Sequence, residues 1–198
     1  MSVRRGLLIL FARAPRLGTV KRRLAREVGD LAALRFHRAT LREMARRLGR
    51  DRRWRTVLAV TPDRARFPLA LPRVPQGRGD LGERMARALA RDRRRAVLVG
   101  SDIPGIGAAD IAAAFRALDG RADAVFGPAE DGGYWLVGLG PRRPAAPFRG
   151  VRWSGPHALA DTVANCRGRR VALARRLRDV DDAAGLAAWR PSALTGRG

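Results

Sequence analysis

The run Leu7-Leu8-Ile9-Leu10-Phe11, followed at once by Ala12-Arg13-Ala14-Pro15-Arg16-Leu17-Gly18-Thr19-Val20-Lys21-Arg22-Arg23-Leu24, governs the reading of the whole chain. Five consecutive apolar residues leave no polar face, which suits a strand buried on both sides. The strand is predicted over Val3 to Phe11, a Gly/Pro loop over Ala12 to Thr19, and a helix from Val20 to Glu27. A strand, a short loop and a helix in succession make the opening of a βα unit.

Working outward, Leu34, Leu41, Met44, Ala45 and Leu48 recur at helical spacing, so Leu31 to Leu48 reads as an amphipathic helix with Asp30 as its N-cap. Thr56 to Thr61 and Ala96 to Val99 read as interior parallel strands. Between them, Leu81, Met85, Ala88 and Leu89 predict a helix over Asp80 to Arg91. Further on come a helix from Ala108 to Leu118, strands at Ala124 to Phe126 and Tyr134 to Leu139, and a Pro-rich loop from Pro141 to Pro147. A helix from Pro156 to about Asn165, a strand at Val171 to Leu173 and a helix from Asp182 to Trp189 complete the chain. Alternation of this kind predicts an α/β fold with a mostly parallel central sheet and helices on both faces.

The 198 residues, 46% of them hydrophobic, suffice for one domain with a substantial core. The last few residues are expected to be disordered. No run approaches the roughly 20 apolar residues of a membrane span, and the short apolar start lacks a cleavage site, so a cytoplasmic protein is expected. Cys166 is the only cysteine and is expected to be buried or idle. A net charge of +23 suggests polyanion binding. The arginines, however, are scattered over nearly every segment and no nucleic-acid-binding motif occurs, so no specific nucleic-acid partner is expected.

In open α/β sheets, ligands bind beyond the carboxyl ends of the strands, and four loops there carry chemistry. In the first, Gly18 frees the backbone while Lys21, the only lysine, and its arginines can surround a diphosphate; the Walker spacing is absent. In the second, Gly100-Ser101-Asp102-Ile103-Pro104-Gly105, Asp102 arrives at a strand tip, where it can hold Mg2+ or Mn2+ or cap the next helix. In the third, Glu130-Asp131-Gly132-Gly133-Tyr134-Trp135, two carboxylates precede a turn with room for close approach of a sugar. Tyr134 or Trp135 there can offer a stacking face, or belong to the core behind a hairpin turn. In the fourth, Asp179, Asp181 and Asp182 precede a helix. Asp181 or Asp182 can cap it, and Asp179 or Asp181 can reach a metal.

These motifs occur in a particular order. Phe11-Ala12-Arg13-Ala14-Pro15 with Gly18 and Lys21 comes first, then Gln76 with Gly79-Asp80-Leu81-Gly82-Glu83-Arg84-Met85, then Gly100 to Gly105 and Glu130 to Trp135. Trp153-Ser154 with His157 and Asp179-Val180-Asp181 follow. In that order, over nearly the whole chain, they resemble an uncharacterised bacterial family of the nucleotide-diphospho-sugar transferase superfamily. Some members of that family are called glycosyltransferase A or selenodomain-associated transferases.

The resemblance implies a GT-A, Rossmann-like three-layer sandwich, with a nucleotide under the first loop and a divalent metal near Asp102. The superfamily also holds nucleotidyltransferases that make molybdopterin dinucleotides or guanylylate small phosphorylated acids. Two positions depart from the usual pattern. Arg22 stands where a threonine is common, and Asp181-Asp182 replaces an Asp-Thr pair.

The expected enzyme is therefore a transferase acting on a nucleotide sugar and a small-molecule acceptor. The expected catalytic residues are Asp131, Glu130 and Lys21. Ala12, Arg13, Gly18, Lys21, Arg23, Asp80 and Ser101 are expected at the nucleotide, and Gly132, Gly133, Tyr134, Trp135 and His157 at the acceptor. Asp102 and Asp181 are the expected ligands of Mg2+ or Mn2+. Nucleotidyl transfer to a small phosphorylated acceptor is the alternative within the same fold, and a non-catalytic basic binding protein is the alternative outside it. His37, inside the amphipathic helix, is expected to be structural, and the oligomeric state is left open.

Overall fold

The computed structural model describes residues 5–65, 67, 69–180 and 182–188. The elements in chain order are β1 (Gly6–Arg13), α1 (Arg22–Val28), α2 (Asp30–Gly49), β2 (Trp54–Thr61), β3 (Arg73–Pro75), α3 (Leu81–Leu89) and β4 (Ala96–Gly100). They continue with α4 (Ala108–Gly120), β5 (Ala124–Pro128), β6 (Tyr134–Leu139), α5 (Ala158–Ala164), β7 (Val171–Leu173) and α6 (Ala183–Ala188). The strands form one sheet in the order β3-β2-β1-β4-β6-β5-β7. All neighbours are parallel except β6, which runs antiparallel to both β4 and β5.

The apolar run of β1 lies in the middle of this sheet, and its side chains alternate between two cores. Leu8 and Leu10 pack with Leu41, Met44 and Leu48 of α2 and Ile111 and Phe115 of α4. Leu7 and Ile9 face the other way, toward Met85 and Leu89 of α3 and toward Phe126 and Cys166. Each such leucine or isoleucine contributes roughly 1.5–3 kcal/mol by leaving water. With helices on both faces the architecture is the expected three-layer α/β sandwich.

One strand escaped the sequence reading, one local expectation is corrected, and of the two readings left open at 130–135 the hairpin turn holds. The three-residue strand β3 pairs with β2, yet its sequence Arg73-Val74-Pro75 has no run or alternation that would mark it. The N-cap of α2 is Gly29, and Asp30 is the first helical residue, where its charge still suits the helix dipole. The segment around Asp131 joins antiparallel β5 and β6 as a hairpin turn, so Tyr134 and Trp135 continue into a strand whose flanks both lie inside the sheet. No described helix is long and apolar enough to cross a membrane.

Candidate functional site

Strands β1 and β4 are parallel neighbours in register, with Phe11 opposite Gly100. Their carboxyl-terminal loops therefore leave the sheet side by side. Lys21 crosses between them, and its Nζ donates to the backbone carbonyl of Asp102 at 3.2 Å. Lys21 caps α1 in the left-handed conformation, with φ 47° and ψ 49°. For a residue with a Cβ that conformation costs roughly 1–2 kcal/mol. Strain of this kind clusters at functional sites, and here it aims an ammonium into a cleft.

The cleft is a cavity of about 260 Å³ whose lining includes Arg13, Lys21, His37, Gln76, Arg84, Ser101 and Asp102. Its cations come from three separate elements. Gln76, fully buried, organises one wall: its Nε2 donates to the carbonyls of Ala12 at 3.2 Å and Ala59 at 2.9 Å. Its Oε1 accepts from Arg84 at 3.1 Å. An amide with both ends engaged holds the guanidinium of Arg84 in place.

Asp102 is 55% exposed, and its Oδ1 lies 3.6 Å from Nδ1 of His37, which is only 2% exposed. His37 Nε2 donates to the carbonyl of Arg13 at 3.1 Å. Partial desolvation pushes the Asp102 carboxyl up. The His37 contact and the charges of Lys21 and Arg13 outweigh that effect and hold it below the usual carboxylate range. An anionic carboxylate beside a buried imidazole nitrogen that has no hydrogen-bond partner is a donor set that fits a divalent cation. Among the described residues no three His, Cys, Asp or Glu side chains converge. A cation here would thus complete its shell with substrate phosphates and water, as Mg2+ commonly does.

A second cavity of about 370 Å³ adjoins the first, and Leu81 and Asp102 line both. Asp131, Gly133, Tyr134, Trp153, Ser154 and Asp179 lie in its walls. Asp131 Oδ1 accepts from Gly133 N at 2.9 Å, which closes the turn and orients the carboxylate. Ser154 is the other described non-glycine residue with positive φ, at 63°, so each cavity contains one strained position.

The remaining expected site residues fall into two groups. Ser101 lines the first cavity, buried, and Ala12 is buried beside it with its carbonyl on Gln76. Gly18 adopts φ 70° and accepts from Arg22. Arg23 is exposed on α1, outside the lining. Asp80 does not line the cavity: it caps α3, accepting from Glu83 N at 2.8 Å while Glu83 accepts from Asp80 N at 2.9 Å. Glu130 is exposed and faces Arg178 at 3.8 Å. His157 is exposed at the start of α5, outside the lining of either cavity.

Gly132 has φ 83°, and a Cβ there would meet the Pro156 backbone at 2.4 Å, so its close approach is to protein. Trp135 is 3% exposed, and its indole donates to the carbonyl of Arg175. Trp135 thus lines the second cavity from within the core, and its low exposure leaves it no open stacking face. Tyr134 packs edge-on against Phe126 and Trp153, and burial raises its phenol well above the usual range. Asp181 lies outside the described residues. Asp182 accepts from Gly185 N at 2.6 Å, so it caps the last helix.

Three contributors were not singled out as site residues by the sequence reading: His37, Gln76 and Arg84. A signal existed for His37, because a histidine between Leu34 and Leu41 sits in the buried stripe of a helix and needs polar partners there. Gln76 and Arg84 stood in the recognised motif, but their pairing runs between a loop and a helix and has no sequence spacing of its own.

The sequence profile of a family described as an uncharacterized protein conserved in bacteria, DUF2064, matches residues 40–155. The chain belongs to that family. The DUF2064 match spans Gln76, Arg84, Asp102 and Asp131, while Lys21 and His37 precede it. No curated protein matches the chain.

Among solved structures, the chain is similar to a protein provisionally described as a nucleotide-diphospho-sugar transferase from Desulfovibrio desulfuricans G20. The TM-score is 0.85 at 28% identity, covering 98% of this chain and 90% of that one. Its fold is also shared with Rv0371c from Mycobacterium tuberculosis H37Rv, at TM-score 0.52, 20% identity and coverage of 95% and 98%. CMP:2-keto-3-deoxy-manno-octonic acid synthetase complexed with CTP gives TM-score 0.53 at 12% identity, covering 94% and 96%. The DUF2064 chain thus has the GT-A-like α/β fold that its motifs imply.

Proposed function

We propose that the chain acts as one metal-dependent transferase domain. Its donor is a nucleotide-diphospho-sugar and its acceptor a small hydroxyl-bearing molecule. The observation that carries this reading is the meeting of a cationic cavity and an acidic, aromatic one at Asp102. The likeness to the Desulfovibrio protein supports the donor class.

In this reading Arg13, Lys21 and Arg84 bind the diphosphate, and the second cavity binds the acceptor. Asp102 would hold Mg2+ or Mn2+, which when bound neutralises charge on the departing nucleotide. In an inverting reaction the acceptor oxygen forms a bond to the anomeric carbon as the bond from that carbon to the diphosphate oxygen breaks. Asp131 takes the acceptor proton, and the nucleoside diphosphate leaves with the electron pair. Tyr134, half-buried with its phenol pushed up by desolvation, shapes the acceptor wall.

The test is a thermal-shift screen of nucleotides and nucleotide sugars with and without Mn2+, run on the native protein and on Asp102→Asn. Saturating a site at about 100 times its Kd stabilises the fold by about 2.7 kcal/mol. Metal-dependent stabilisation by one nucleotide sugar, lost in Asp102→Asn, is the expected result. Stabilisation by a nucleoside triphosphate, with pyrophosphate released on adding a phosphorylated acceptor, would reassign the site to nucleotidyl transfer. A response to no nucleotide at all would refute the enzyme reading.

A further inference from the structure

His37 has no part in the diphosphate contacts just described, yet it is the most deeply buried ionisable side chain lining the first cavity. Its Nε2 lies 3.1 Å from the carbonyl oxygen of Arg13. A carbonyl only accepts, so Nε2 carries the hydrogen. In the neutral ring Nδ1 is then a lone pair. That lone pair has no hydrogen-bond donor in the structure and faces Oδ1 of Asp102 at 3.6 Å. In the neutral ring two acceptors thus face each other in the cleft, and a positive charge between them, either a proton on Nδ1 or a cation, reconciles the contact with a lowered Asp102 carboxyl. The separation is too long for a direct hydrogen bond. It is also shorter than the span of about 4.2 Å covered by two metal–ligand bonds of about 2.1 Å each, so one ion can touch both atoms.

We propose that His37 Nδ1 and Asp102 Oδ1 are joint protein ligands of one divalent cation, and that the nitrogen donor makes the site select a transition-metal ion over Mg2+. This deepens the reading of Asp102 as the metal residue and rests on it. The carbonyl of Arg13, by fixing the Nε2 hydrogen, is the outer partner that orients such a ligand. An imidazole donor favours transition metals, whereas a shell of carboxylate, water and phosphate alone suits Mg2+. Sequence spacing hides the pair, because helix α2 and the tip of β4 meet only in the folded sheet.

The test uses the full chain with Mn2+ and inorganic pyrophosphate, a ligand that contains no nitrogen. The chain has two histidines, so the assignment is short. Electron spin-echo spectroscopy of bound Mn2+ is expected to show modulation from a directly coordinated imidazole nitrogen. The signal should survive in His157→Ala and vanish in His37→Phe.

By calorimetry, His37→Phe should weaken Mn2+ by at least about tenfold, a loss typical of disturbing a metal-ligand set, and change Mg2+ much less. Native protein should prefer Mn2+ to Mg2+. If Mn2+ binds, depends on Asp102 as judged with Asp102→Asn, and shows no nitrogen coupling, His37 is not a ligand while the Asp102 reading stands. An imidazolium paired with Asp102 would give that result. If Mn2+ does not bind even with pyrophosphate, both readings fall. The native spectrum decides the question even if His37→Phe does not fold.

Discussion

The Nζ of Lys21 donates to the backbone carbonyl of Asp102 across 81 positions of sequence, at 3.2 Å. That bond ties the loop after β1 to the loop after β4 and places an ammonium beside the carboxylate at the junction of two cavities. Lys21 holds this position in a left-handed backbone conformation, so its side chain and its stability pull in opposite directions. Lys21→Gly removes the ammonium and also relieves about 1 kcal/mol of backbone strain. The expected outcome is a thermal midpoint no lower than native, with affinity for a nucleoside diphosphate reduced at least tenfold in calorimetry. Lys21→Ala keeps the strain and should lose the same affinity. A Lys21→Gly protein that binds as tightly as native would remove Lys21 from the site.

Gln76 joins Ala12, Ala59 and Arg84 in one buried network. Gln76→Leu keeps the volume and takes away both the donor to the two carbonyls and the acceptor for Arg84. We expect a loss of about 2 kcal/mol in urea unfolding, the usual cost of leaving buried partners unsatisfied. Nucleotide binding should also weaken, because Arg84 is no longer held toward the cavity. Equal binding by native protein and variant would mean that Arg84 does not contact the ligand.

Gly132 is required by space as well as by torsion. Its φ is 83°, and a Cβ would stand 2.4 Å from the Pro156 backbone. Gly132→Ala should therefore cost about 3 kcal/mol, combining left-handed strain with overpacking. Gly150→Ala, also at positive φ but with nothing within 4 Å of the added Cβ, serves as the control and should lose clearly less. Similar unfolding midpoints for the two variants would contradict the packing argument.

Acid should loosen α5 through one ion pair. Asp161 is held down to about 2 by hydrogen bonds from the Arg152 side chain and backbone. A depressed carboxyl stabilises the fold fully above its unfolded value, near about 4, and loses that contribution as pH falls toward 2. Asp161→Asn should thus be less stable than native at pH 6, with the gap closing between pH 4 and 2. Urea midpoints measured across that range check the sign, and a gap that widens on acidification would contradict it.

Much of the framework was legible in the sequence because it rests on local periodicity. The unbroken apolar run at 7–11 demanded cover on both faces, and the spacing of Leu34, Leu41 and Leu48 made α2. The strand ends then pointed to loops holding Lys21, Asp102 and Asp131, and these three residues do line the joined cavities. β3 was illegible, because three residues ending in proline carry no pattern and owe their pairing to β2. Asp80 was placed at the nucleotide through its motif, and Trp135 was read as either a stacking face or a core ring, a choice that spacing does not make. Their carboxylate and ring are engaged by a capping box and by the core.

By itself, then, the sequence determined the layered α/β fold and the chemical types gathered at the strand tips, since period and composition are properties of neighbours along the chain. Tertiary structure alone decided that Gln76 holds Arg84 and that His37 Nδ1 faces Asp102. It also decided that two cavities share one carboxylate. These are distances between side chains on different elements, set by sheet order and helix packing, and no spacing along the chain encodes them.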